Sequence, residues 1–419
     1  MFKKLLSLCL AALMLVSLVA CGTPEDDEAT LSASPLPEVE LNADFEVADD
    51  FKIGFILLHD ELSTYDLNFM NAVDTVKEVL NLSDDQVIMK KNIPESNKCY
   101  EAAKELVDLG CDIVFANSFG HEDFMIKAAQ EFTNVQFCHA TGTKAHTAGL
   151  ANFHNAFASI YEGRYLAGIA AGMKLNEMIE AGEFTAEEAK IGYVGAFTYA
   201  EVMSGYTSFY LGAKSVCPTV TMEVQFTGSW YDENEEKSAA QALINRDCKL
   251  ISQHADSMGA PSACEDAGVP DVSYNGATIE SCPNTFIVSS RIDWAPYYMY
   301  IIECVTKGEE IAVDWCGGLK EGSVVLTGIN EKVAAEGTYD AIVDAVAKIK
   351  SGEIKVFDTD TFTVGNKKLE TYLADVDTDA AFEKDTEAIH DGYFDESSER
   401  SAPYFDVQID GITLLNSKF

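Results

Sequence analysis

Positive charge is scarce in this chain of 419 residues: 29 Lys and Arg stand against 69 Asp and Glu, a formal net charge of −40. A surface this acidic has no basic stripe with which to displace counterions from phosphate, so nucleic acid is excluded as a partner. The acidity reads instead as a solvated surface that keeps the chain soluble. Eleven Cys are present but no Cys-x-x-Cys pair, which leaves zinc ribbons and thioredoxin-type redox sites without support. There is no Gly-x-Ser-x-Gly elbow, no His-Glu-x-x-His helix and no phosphate loop ending in Gly-Lys; His121-Glu122 lacks the second His. His254 and Asp256 could support acid–base chemistry, but no nucleophile is specified beside them. An exported enzyme is therefore the weaker class, and neither a cofactor nor a metal is expected. Past the N-terminal segment, no stretch approaches the ~18–20 consecutive apolar residues of a membrane span.

That N-terminal segment sets the compartment. Lys3 and Lys4 precede an apolar run from Leu5 to Leu18 that is broken only by Ser and Cys, and the run ends in Leu18-Val19-Ala20-Cys21-Gly22. This is the layout of an export signal, at ~14 apolar residues too short for a comfortable span. Its end resembles the bacterial lipobox, in which cleavage before the Cys leaves a lipid-bearing N-terminus. Residues 1–20 are read as a lipoprotein signal peptide and Cys21 as a lipid anchor, which places the protein outside the cytoplasm on the cell membrane. The plain alternative is an ordinary signal peptide with a chance Cys. Residues 22–50 hold three Pro, ten acids and no Lys or Arg, the composition of an extended, self-repelling tether. With Cys9 in the signal and Cys21 as anchor, nine Cys remain, an odd number. Those in apolar patterns, such as Cys138 and Cys304, read as small core hydrophobes, with one or two disulfides left open.

From Phe51 onward short apolar runs alternate with amphipathic stretches. Phe51 to Leu58 reads as a buried strand. Phe69, Val73, Val76 and Leu80 then mark one face of a helix over 63–80. Strands at 86–89, 112–116 and 135–139 alternate with helices at 96–109 and 122–132. The rhythm repeats with helices at 158–179, 200–215, 233–245 and 260–267 and strands at 191–194, 219–226, 248–252, 269–274 and 286–290. Strand–helix alternation over this length predicts two doubly wound parallel-sheet α/β lobes joined by a hinge. The expected division is lobe one at 51–154, lobe two at 155–290, a hinge crossover back to lobe one at 291–330, and a final crossing with lobe-two completion and an acidic tail at 331–419. Tyr393, Phe394, Tyr404 and Phe405 are the residues that could pack that tail onto a lobe.

Ligands of open parallel sheets sit beyond the carboxyl ends of the strands. The segments found there share a theme of rings beside a carboxylate or amide: His59 to Asp66, Asn117 to His121, Ala196 to Tyr199, Gly228 to Asp232, Gln253 to Ser257, Tyr274 to Gly276, and Arg291 to Trp294. Stacked rings hold a flat heteroaromatic molecule while polar groups fix its edge. For any single ring the plain alternative is core packing, for His254 a satisfied buried imidazole, and for Lys320 a surface side chain in a Gly-rich turn. Arg291 reads equally as a hinge ion pair or a ligand contact, and Glu236 as a surface residue.

Several of these segments, in order, resemble the basic membrane protein family of bacterial lipoproteins, the nucleoside- and purine-binding components of ABC importers. The markers are Lys52-Ile53-Gly54-Phe55, Tyr161-Glu162-Gly163-Arg164-Tyr165-Leu166-Ala167-Gly168, Trp230-Tyr231-Asp232, Gln253-His254-Ala255-Asp256-Ser257, Asp293-Trp294-Ala295-Pro296 and Trp315-Cys316-Gly317-Gly318-Leu319-Lys320-Glu321-Gly322. The resemblance, from about Phe51 to about residue 365, implies a type I periplasmic-binding-protein fold with three hinge crossings. It also implies a monomer that captures a purine nucleoside, purine base or similar heterocycle for an ABC permease. The site residues it implies are Tyr65 with Trp230 or Phe197 as stacking rings, Asp66 on the base edge or ribose, Phe119 as lining, Asp256 on ligand hydroxyl or amino hydrogens, Trp294 as a wall at the hinge and Lys320 approaching from its loop. Tyr65-Asp66 stands where nucleoside binders often carry Phe-Asn, which leaves a non-purine ligand open. A sensory lipoprotein of the same fold that signals to a kinase is the other reading.

Overall fold

The computed structural model describes residues 29–37, 39–376 and 383–418, so the signal peptide and Cys21 lie outside the described residues. The first lobe is built from β1 (Ile53–Ile56), α1 (Thr64–Leu80), β2 (Val87–Lys90), α2 (Asn97–Asp108), β3 (Ile113–Ala116), α3 (Glu122–Glu131), β4 (Gln136–Ala140), α4 (Ala145–Ala148) and β5 (Phe153–Ala158). The second runs through α5 (Ile160–Glu180), β6 (Lys190–Gly195), α6 (Ala200–Val216), β7 (Thr221–Phe226), α7 (Glu233–Ile244), β8 (Leu250–His254), α8 (Gly259–Ala267), β9 (Asp271–Tyr274) and β10 (Phe286–Ile292). The chain then crosses back through α9 (Ala295–Lys307) and β11 (Asp314–Gly317), and returns with β12 (Val324–Leu326) and α10 (Thr338–Ser351). The tail adds two small hairpins, β13 (Leu373–Ala374) with β14 (Thr386–Glu387) and β15 (Ile389–His390) with β16 (Tyr393–Phe394), then β17 (Ile412–Leu414).

The two large sheets repeat one strand order. The first is β11-β5-β4-β3-β1-β2 and the second β12-β10-β9-β8-β6-β7-β17. Each places its opening strand between the next two, as doubly wound sheets do, and so creates a switch point at β1/β3 and another at β6/β8. All pairings in both sheets are parallel except β10 with β12. The buried strands read as near-continuous apolar runs, Ile-Gly-Phe-Ile in β1 and Ile-Val-Phe-Ala in β3, because helices cover both faces. Helix α1 starts where Ser63 caps it, its hydroxyl accepting from the Asp66 N–H at 3.2 Å, and stops at Asn81 in the left-handed region. Helices α5 and α6 touch backbone to backbone. A Cβ on Gly168 would fall 2.0 Å from the Phe209 carbonyl, and one on Gly212 2.0 Å from that of Tyr165, so both positions need glycine.

Three boundaries differ from the sequence reading. Strand β5 belongs to the first sheet, so lobe two begins after Ser159 rather than at 155. The return to lobe two is the Gly318–Ser323 loop between β11 and β12, not a crossing after 330. The described part of the acidic tether, residues 29–37 and 39–50, does not stand clear of the body. Leu31 bridges to Asn330, the Ser32 N–H donates to the Ile329 carbonyl at 2.9 Å, and Ser34 Oγ donates to that of Leu326 at 2.8 Å, all on lobe two. Farther along, Lys307 pairs with Asp44 at 3.2 Å and Gln86 donates to the Ala48 carbonyl at 3.0 Å, both on lobe one. Leu36 is buried, with Leu41, Phe45 and Val47 packed beside the core; apolar residues spaced through the acid run hold it down.

The tail also packs. Phe405 is fully buried and stacks on Phe357 at 4.3 Å, while β17 extends the second sheet beside β7. Ser401 reaches across to Asp314 on β11 at 2.7 Å. The nine Cys of the described residues are all free thiols and eight are buried, which answers the disulfide question in favour of core packing.

Candidate functional site

Between the lobes, at both switch points, lies a narrow cavity with about 360 Å³ of space including its mouth. Lobe one lines it with Leu58 after β1, Tyr65 on α1, Ser118 and Phe119 after β3, and Thr141 after β4. Lobe two contributes Glu201 on α6, Trp230 after β7, His254 and Asp256 at the end of β8, and Tyr274 closing β9. The lobes meet around it. Thr64 donates from its backbone N–H and its hydroxyl to the Asp256 carbonyl, and Asn68 Nδ2 donates to the Asn275 carbonyl at 2.9 Å. Phe119 meets Tyr199 at 5.4 Å and His59 meets Tyr231 at 5.5 Å. This is a closed form.

The walls are held from behind. Tyr65 donates its hydroxyl to the Asn117 carbonyl at 2.7 Å, which turns its ring edge-on to Phe69. Glu95 accepts from Ser118 Oγ at 2.6 Å and from the Gly120 N–H at 2.7 Å, and so fixes the loop that presents Phe119. Thr141 has φ of +67°, a strained conformation for a β-branched residue, and its buried hydroxyl has no partner among the described residues. Beneath lobe two's wall the buried Arg164 donates to Ser252 Oγ at 2.7 Å, Tyr193 Oη at 3.1 Å, Ser290 Oγ at 3.3 Å and the carbonyls of Ser273 and Gln253. One side chain of the Tyr-Glu-Gly-Arg segment thereby ties together the ends of β6, β8, β9 and β10. The His254 ring packs 4.4 Å from Tyr274 and against Gly205, where a Cβ would fall 2.4 Å from Nδ1.

Burial sets the protonation of the polar wall. Desolvation, with Glu236, Asp66 and Glu201 nearby, raises the Asp256 carboxyl well above its usual range. Desolvation likewise lowers the His254 imidazole, despite the Glu201 carboxylate at 3.5 Å, so this ring is neutral. Glu236, expected at the surface of α7, is buried and accepts from the N–H groups of Asp232 at 3.1 Å and Ser257 at 3.2 Å; burial pushes it up to about 7.

Of the residues singled out from sequence, Tyr65, Phe119, Trp230 and Asp256 are brought together on the cavity. Phe197 stands one ring behind, edge-on to Trp230 at 5.1 Å and stacked on Tyr199 at 5.0 Å. Asp66 is fully buried beneath the first loop. It accepts from Asn117 Nδ2 at 2.7 Å and the His59 N–H at 3.1 Å; burial opposes its ionisation, but bonds with His59, Asn117 and Ser63 outweigh that and keep its pKa low. Trp294 is not a cavity wall: it is 1% exposed and stacks on Phe69 at 4.6 Å inside the core. Lys320 lies exposed on the Gly318–Ser323 loop, away from the cavity lining. Glu201 and Thr141 were not singled out, and Tyr274, named in its strand-end segment, was given no ligand role. Glu201 and Thr141 are not the first residues after their strands in the sequence reading, and Tyr274 reads equally as the last core residue of β9.

The chain matches the model of the Bmp family, described as ABC transporter substrate-binding protein, PnrA-like, over residues 63–360. It belongs to that family. It is therefore an extracytoplasmic substrate-binding protein of an ABC transporter and not an enzyme. The chain is 31% identical over 283 residues to a purine-binding protein of Brucella abortus, covering 67% of this chain and 76% of that one. It is 32% identical over 246 residues to a putative ABC transporter glucose-binding protein of Haloferax volcanii, covering 59% of each. Among solved structures, ABC transporter solute-binding proteins of Aeropyrum pernix and Conexibacter woesei superpose with TM-scores of 0.61 and 0.58 at 17% and 19% identity. They cover 76% and 73% of this chain and 94% and 98% of theirs. Those likenesses establish the type I periplasmic-binding fold.

Proposed function

We propose that this binding protein captures a purine base or nucleoside in the inter-lobe cavity and delivers it, as a monomer held to the membrane through a lipid on Cys21, to an ABC permease. The observation that carries the reading is the cavity's composition. Four rings from both lobes, Tyr65, Phe119, Trp230 and Tyr274, surround a narrow slot with the carboxyl groups of Asp256 and Glu201 on one wall. A flat heteroaromatic ring fills such a slot by stacking, and its N–H edge or ribose hydroxyls meet Asp256 and Glu201. The Brucella relative's description as purine-binding supports the same class. The Haloferax relative makes glucose the comparison ligand.

Native mass spectrometry of the protein purified without added ligand tests the assignment. A bound mass equal to a purine base or nucleoside is expected, and a bound hexose would overturn it. For the anchor, Cys21→Ser should release the protein into the medium and abolish labelling by palmitate; unchanged membrane retention would contradict the lipoprotein reading.

A further inference from the structure

The cavity has acids and rings but no cationic side chain. Two of its ten lining residues are carboxylates, four are aromatic, and none is Lys or Arg. Asp256 is buried, and among the described residues its carboxylate receives one side-chain hydrogen bond, from Asn275 Nδ2 at 3.2 Å. The ionisable groups that bear on it are Glu236 on α7, Asp66 on α1, Glu201 on α6 and the phenols of Tyr65 and Tyr274, with no cation among them. Arg164 lies behind Tyr274, 5.1 Å from its ring, with Nη1 and Nη2 committed to hydroxyls and carbonyls beneath the wall rather than to Asp256. His254 lines the same wall at 2% exposure, with its Nε2 3.5 Å from Glu201 Oε1 and, among the described residues, no hydrogen-bond partner at Nδ1. A buried carboxylate with no cation is costly to keep ionised. Aromatic faces attract cations, most strongly where water is excluded. With no cation of its own the wall keeps Asp256 uncharged, and a ligand that brings a cation would let both of the wall's carboxyl groups ionise.

We propose that the cavity selects a positively charged nitrogen heterocycle over a neutral molecule of the same shape, with Glu201 and Asp256 as the groups that read the charge. This rests on the reading above that the ligand is a purine-like heterocycle. Glu201, in the first turn of α6, takes the ring nitrogens or exocyclic amine from one side while His254 accepts or donates beside it. Asp256 ionises when the cation enters, so the ligand's charge and the carboxylate's appear together inside the closed cleft.

Isothermal titration of the full chain at mildly acid pH tests this with a matched pair. The pair is 7-methylguanosine, a cation, and 7-methyl-7-deazaguanosine, which has the same methyl group and no charge. The cation should bind at least about tenfold tighter. In Glu201→Gln, a change in the first turn of a helix, the ratio of the two affinities should fall toward unity. Asp256→Asn should act in the same direction. Equal affinities in wild type, or an unchanged ratio in Glu201→Gln, would overturn the charge selection and leave the purine assignment standing. If neither compound binds, 1-methylnicotinamide against nicotinamide is the second pair. A charged member binding there sinks the purine assignment and keeps the charge selection. Binding of no charged member of either pair sinks the charge selection too.

Discussion

Thr64, at the start of α1 on lobe one, donates both its backbone N–H and its hydroxyl to the backbone carbonyl of Asp256 on lobe two, at 3.3 and 3.2 Å. The residue that places a carboxylate on the cavity wall is thus also the residue that lobe one grips on closing. A ligand that touches both lobes and the contact between the lobes themselves stabilise the same closed state, and their free energies add.

Asn68 makes the neighbouring contact, donating to the Asn275 carbonyl at 2.9 Å. Asn68→Ala leaves that carbonyl unpaired only when the lobes are shut. A buried hydrogen bond contributes ~1 kcal/mol net, so ligand affinity should fall about fivefold. Small-angle scattering of the unliganded variant should show a more expanded envelope than wild type. An unchanged envelope and affinity would remove Asn68 from the closing mechanism.

Tyr65→Ala and Trp230→Ala should each weaken ligand binding by ~2–4 kcal/mol, the loss of ring burial plus ring stacking. Lys320→Ala should leave affinity unchanged, since its side chain is exposed on the hinge loop. Trp294→Ala should act on stability, costing ~3–5 kcal/mol as a core truncation. Calorimetry and thermal melts on the four variants separate these outcomes. A binding defect in Lys320→Ala would place that side chain at the ligand.

Periodicity made much of the fold legible, because Phe69, Val73 and Val76 on α1 and the apolar run of β1 face one core and obey its spacing. Strand β5 escaped because Phe-His-Asn-Ala-Phe-Ala mixes polar residues into a wholly buried segment. His154 pairs with Gln136 at 2.9 Å and Asn155 Nδ2 donates to Glu122 at 3.0 Å, partners from other elements. The strap at 29–50 escaped because its acids outweigh the few apolar residues that anchor it. In the site, position after a strand singled out the segments, and the family resemblance picked Tyr65, Phe119, Trp230 and Asp256 from them. The same rule put Trp294 in the cleft, whereas the turn into α9 swings that ring back onto Phe69. Nothing local in the sequence says which way a ring at a hinge will face.

The strap joins lobe two at Leu31 and Ser34 to lobe one at Asp44 and Ala48. Leu36→Asp should place a charge in its buried contact and cost ~1–3 kcal/mol, read as a lowered melting temperature. A melting temperature equal to wild type would mean that the segment contributes nothing to the folded body.

Glu396 joins the tail to α6, accepting from Ser204 Oγ at 2.5 Å, with its other carboxylate oxygen buried and, among the described residues, unpartnered. Burial pushes its carboxyl up to about 7 from an ordinary 4.5. Between those values the folded state holds a proton that the unfolded state has released, so this group's stabilisation is complete below ~4.5 and is lost as pH rises through 7. Glu396→Gln should therefore stabilise the protein by ~1–3 kcal/mol near pH 8 and by little near pH 5. Melting curves at the two pH values check it, and a gain that did not depend on pH would contradict the protonation argument.

The central claim is that the inter-lobe cavity binds a purine heterocycle, and calorimetric titration of the full chain with adenine, guanine, their nucleosides and glucose tests it most directly. The account predicts a purine that binds in the wild type, is weakened by both Tyr65→Ala and Trp230→Ala, and at ~100 times its dissociation constant stabilises the fold by ~2.7 kcal/mol. Tight binding of glucose with no heat from any purine, or a purine that binds both variants as tightly as wild type, would contradict it.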